Sequence, residues 1–70
     1  METGQVIVFN KSISVGFIKN DVDKLYYIFR PSDCKGEIAV DDEVTFHVRG
    51  VREAYDIKLK FPINTDADNR

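Results

Sequence analysis

The stretches Val15-Gly16-Phe17-Ile18 and Tyr26-Tyr27-Ile28-Phe29 decide how this chain folds. Both are rich in β-branched and aromatic residues, and turn formers bound them, so both are predicted to be strands. Between them lies Asn20-Asp21-Val22-Asp23, polar and too short for a helix. The simplest reading is an antiparallel hairpin closed by a loop of a few residues. Strand side chains alternate faces, so Phe17 and Lys19 share one face and Gly16 and Ile18 the other. With Ile18 and Ile28 turned inward, Phe17, Tyr27 and Phe29 stand together on the outside. Exposed rings on one sheet face need a reason, and stacking on unpaired bases supplies one.

The rest of the chain reads as further strands. Gln5-Val6-Ile7-Val8-Phe9 is dominated by β-branched residues and is apolar on both faces. That pattern implies a central strand, a bulge, or an outer face that binds something. Lys11-Ser12-Ile13-Ser14 is a polar turn. Pro31 ends the third strand, because proline removes a ladder donor and restricts its predecessor. Ser32 or Asp33 is placed to cap one helical turn around Cys34-Lys35, with Gly36 to stop it. Glu43 to Arg49 alternates cleanly, with Val44, Phe46 and Val48 predicted inward. The last strand spans about Ala54 to Phe61, with Tyr55, Ile57, Leu59 and Phe61 on one face. Five short strands and no long helix predict an all-β chain, closed as an antiparallel Greek-key barrel of the OB-fold type.

Length and charge bound the function. Seventy residues make one domain, read as residues 1–61 followed by a polar tail over 62–70, predicted to be mobile. A chain this short buries only roughly 60% of its unfolded surface, so its core is thin. Apolar runs such as Val6 to Phe9 fall far below the ~20 residues of a membrane-spanning helix, and no signal-peptide pattern opens the chain. The single cysteine, Cys34, excludes an internal disulfide and fits a reducing cytoplasm. The net charge is −2, whereas a protein binding mainly by neutralising phosphates would be basic. Any nucleic-acid reading therefore rests on stacking more than on charge.

Thr3-Gly4-Gln5-Val6, Phe9-Asn10 and Gly16-Phe17-Ile18 resemble the opening of a bacterial cold-shock protein, which reads T-G-x-V-K-W-F-N-x-x-K-G-F-G-F-I. The spacing from Thr3 to Ile18 fits without a gap. Tyr26 to Arg30 resembles the family's V-F-V-H-F, Val44 to Val48 its fourth strand, and Ala54 to Ile57 its fifth, so the resemblance covers about residues 3 to 59. It implies an OB-type barrel that binds single-stranded RNA or DNA, as an RNA chaperone or a regulator of transcription or translation. The departures fall on the binding face. Ile7 and Val8 replace a lysine and a tryptophan, and Ile13-Ser14-Val15 replaces K-G-F. On this alignment Phe29 stands at the family's histidine and Arg30 at a phenylalanine. A guanidinium there can still stack on a base or hold a phosphate.

The expected nucleic-acid contacts are therefore Phe9, Asn10, Lys11, Phe17, Lys19, Tyr27, Phe29 and Arg30. The competing explanation for the rings is ordinary cross-strand packing, worth ~0.2–1 kcal/mol a pair. The lysines and Arg30 are about equally well explained as solvated surface charge. The greasy positions Ile7, Val8, Ile13 and Val15 raise the alternative of a protein partner on the first-strand face. No catalytic constellation is visible. His47 has no second ligand near it in sequence, Cys34 has no neighbouring base, and no phosphate loop or hydrolase motif occurs. An enzyme, a bound metal and a cofactor are not expected.

Overall fold

The computed structural model describes residues 1–61. The segment 62–70, read above as a mobile tail, lies outside the described residues. The elements run β1 (Glu2–Asn10), β2 (Val15–Asn20), β3 (Tyr26–Phe29), a 3-10 turn (Pro31–Asp33), β4 (Glu43–Arg49) and β5 (Glu53–Leu59). The strands close a barrel in the order β1-β2-β3-β5-β4, with β4 pairing back onto β1. The chain is thus an all-β, closed five-stranded barrel. The sheet is mixed, not purely antiparallel as expected. Four pairings are antiparallel, but β3 meets β5 in parallel through Ile28↔Glu53.

The core holds Val6, Ile18, Tyr27, Phe29, Ile38, Val44, Phe46, Ala54 and Ile57, with Phe9, Cys34 and Leu59 packed against it. Three features set which residues reach it. In β1 the register shifts between Val6 and Val8. Val6 points in, Ile7 and Val8 are both exposed, and Phe9 returns to the core. This is the bulge that an apolar-on-both-faces strand allows. In β5, Asp56 sits at φ 53°, a left-handed conformation that aspartate tolerates better than most residues. Ala54 and Ile57 therefore face inward, and Tyr55 pairs outward with His47. The expectation that Tyr55, Ile57, Leu59 and Phe61 share one face is corrected accordingly: only Ile57 is fully buried, and Phe61 lies past the strand, exposed.

The third is the hairpin, whose own register is regular. Asn20 N–H donates to the Leu25 carbonyl and Lys24 N–H to the Asn20 carbonyl, while the buried Asn20 side chain accepts from Val22 N–H at 2.7 Å. This four-residue turn pairs Ile18 with Tyr27 and Phe17 with Ile28. Directly opposed residues share a face. Tyr27 and Phe29 therefore follow Ile18 into the barrel, and Ile28 faces out. In β4, Val44 and Phe46 are buried as predicted, but Val48 lies at the barrel's end and is partly exposed. The helical turn comes earlier than predicted, at Pro31–Asp33. It is closed by Arg30 N–H donating to Asp33 Oδ2 at 2.9 Å, and Cys34 beyond it bridges Ile57.

Candidate nucleic-acid interface

The outer face of β1–β2–β3 is the surface the sequence reading singles out. Register fixes its contents. One cross-strand row holds Val8, Phe17 and Ile28. A second holds Gln5, Lys19 and Tyr26, and Asn10 pairs with Val15 toward the end of β1. Phe17 and Ile28 are half-buried by their neighbours, while Tyr26 is 55% exposed. Ile7 and Val8, 37% and 42% exposed, stand at the bulge. The face therefore carries two rings on adjacent strands, set among aliphatic side chains.

The predicted platform of three rings is corrected. Phe29 is 2% exposed and Tyr27 8%, so neither offers a face to a base. Phe29 packs edge-on against Phe9, centroids 5.0 Å apart. It also fills the space over Gly16, where a Cβ would stand 2.4 Å from its ring. Tyr27 packs against Phe46 at 5.6 Å and donates its hydroxyl to Asp23 Oδ2 at 2.6 Å. That hydrogen bond holds the Asp23 carboxyl below its usual range and pushes the Tyr27 hydroxyl up.

The other expected contacts divide. Phe17 and Lys19 are brought together on the outer face, as predicted. Phe9 is half-buried against the core, and the Lys11 ammonium lies 5.3 Å from its ring centroid. Asn10 is exposed, but its side chain accepts from Ser12 N–H at 3.0 Å and so shapes the β1–β2 turn. Arg30 is exposed where β3 ends.

Sequence reasoning missed Tyr26, Ile28, Lys24 and Arg52. Lys24, Leu25, Tyr26 and Arg52 line one open groove beside the second row. Arg52 is held there because Ile28 N–H donates to its carbonyl at 2.9 Å. The signal that would have found Tyr26 is the loop length: a tight turn over residues 21–24 forces Tyr27, not Ile28, to oppose Ile18.

The Cys34 thiol is pushed up to about 11 by burial and then by the Asp33 charge, so it stays protonated at neutral pH. Among the described residues no three His, Cys, Asp or Glu side chains converge as a metal site, and no helix is long and apolar enough to cross a membrane. Comparison with known proteins returns no match: no family model fits the chain and no curated protein matches it in sequence.

Proposed function

We propose that this chain is an OB-type Greek-key barrel of cold-shock kind that binds single-stranded RNA or DNA, in an RNA-chaperone or regulatory role. The observation that carries the reading is Phe17 and Tyr26 on neighbouring strands of one outer face, with Lys19 directly opposite Tyr26. Bases stack on the two rings and rest against Val8 and Ile28, and Lys19, Lys24 and Arg52 supply the cations for the backbone. Sequence preference is weak, because every base has a π-face. With few cations at the face and a net charge of −2, salt weakens binding only gently.

The test is fluorescence anisotropy of a labelled oligo-U or oligo-dT. Phe17→Ala and Tyr26→Ala are each expected to weaken binding by ~1–3 kcal/mol. Unchanged affinity in both variants refutes the reading. A second reading is favoured by the exposed Ile7 and Val8 beside Phe17 and Ile28: an apolar docking face for a protein. It predicts a retained partner in a pull-down and no oligonucleotide binding.

A further inference from the structure

A second surface lies away from the β2–β3 face. It is an open groove of ≈ 460 Å³ where β4 begins and β5 ends. Ile38, Leu59 and Phe61 form its apolar wall, and Glu37, Asp41, Asp42 and Glu43 also line it. Among the described residues its lining carries four carboxylates and no cation. Lys60 stands at the edge, its ammonium 5.3 Å from the Phe61 ring centroid. The carboxylates are spread along the groove and do not converge on a metal site, so the complementary ligand is extended, not a point charge.

The rim is also held in place. Val6 N–H donates to the Asp42 carbonyl at 3.0 Å, and Asp41 N–H donates to the Val6 carbonyl at 2.8 Å. Gln5 Nε2 donates to the Asp41 carbonyl at 3.2 Å, and Ala39 N–H to Asp42 Oδ2 at 2.8 Å. A preordered groove loses little entropy when it is filled. Glu37 and Glu43 are exposed, and Phe61 is largely so.

We propose that this groove docks a cationic, amphipathic segment of a partner protein, whose apolar side chains lie on Leu59 and Phe61 while its lysines or arginines meet Glu37, Asp41 and Glu43. Charge complementarity selects the partner: a negative rim attracts basic chains and repels nucleic acid. None of the residues lining the groove stands in the face proposed for bases; Gln5, in the row of Lys19 and Tyr26, touches the rim only at the Asp41 carbonyl, so either reading can fail alone.

The probe is a labelled peptide of alternating lysine and leucine, titrated into the full chain and followed by anisotropy and amide chemical shifts. Saturable binding is expected, with shifts at Glu37, Glu43, Leu59 and Phe61. Glu37→Lys with Glu43→Lys, both on exposed sites, should weaken binding at least about tenfold, and Phe61→Ser should weaken it as well. Added salt should reduce affinity, and Phe17→Ala should leave it unchanged. Five results overturn the proposal: no binding; oligolysine binding as tightly as the amphipathic peptide; shifts confined to the Val8–Phe17–Ile28 row; groove shifts that depend on protein concentration without peptide, which indicate a second copy; or Overhauser contacts from residues 63–70 to Leu59 or Phe61, which make the chain its own occupant.

Discussion

Gly16 shows how a single residue fixes the inside of this barrel. Its missing Cβ leaves room for the Phe29 ring, which lies 2.4 Å from where that atom would be. Gly16→Ala forces Phe29 to move within a packed core and should cost about 1–3 kcal/mol, read as a shift in the urea midpoint. A midpoint within error of wild type would mean that the ring has slack. Tyr27 and Asp23 give a second residue-scale prediction. The hydrogen bond holds Asp23 below its ordinary 3.8, so its contribution is present above about pH 4 and is lost as pH falls through the lowered value. The same bond raises Tyr27 above its ordinary 10.0, so that contribution is present below about pH 10 and is lost as pH rises through the raised value. Tyr27→Phe should therefore flatten the acid limb of a stability-versus-pH curve. An unchanged limb would detach the bond from folding. Neither contact was legible in the sequence. Gly16 reads there as a strand glycine with no stated reason, and Tyr27 as an exposed ring.

At the scale of elements, the hairpin was readable and its register was not. All five strands can be placed from β-branched runs and turn formers, and β3 and β4 even to their ends. Facing is harder, because a one-residue slip turns every side chain over. The turn capped by Asn20 decides that slip through hydrogen bonds invisible in a residue pattern. In β1 and β5, shifts at Ile7 and Asp56 break the alternation on which inward and outward assignments rest. Phe17 and Lys19, before the turn, face outward as expected, whereas Tyr27 and Phe29, after it, face inward. The consequence is testable. Phe29→Ala removes a buried ring and should cost about 3–5 kcal/mol of stability, a large share of the roughly 4–10 kcal/mol typical of a chain this size. Phe17→Ala should cost far less and act on binding. Equal losses of stability in a denaturation series would place both rings in the same environment and contradict the register.

For the whole molecule, closure is the weak point. β3 meets β5 through one parallel bridge, Ile28↔Glu53, continued by Lys35 N–H donating to the Ile57 carbonyl at 2.7 Å. By contrast, β1 runs in long antiparallel ladders with both β2 and β4. Local openings favour regions with few contacts. Native-state hydrogen exchange should find the Ile28 and Lys35 amides opening more readily than those of Val6 and Ile18. Uniform protection would show that the barrel opens only as a unit. The seam borders the groove of Lys24, Tyr26 and Arg52, so ligand on the outer face should slow exchange at Ile28.

The most direct measurement is an amide chemical-shift titration with oligo-U. The account predicts that Val8, Phe17, Lys19, Tyr26 and Ile28 move together and saturate, while core amides such as Phe46 stay still. An unchanged spectrum, or shifts gathered on some other part of the barrel, would contradict it.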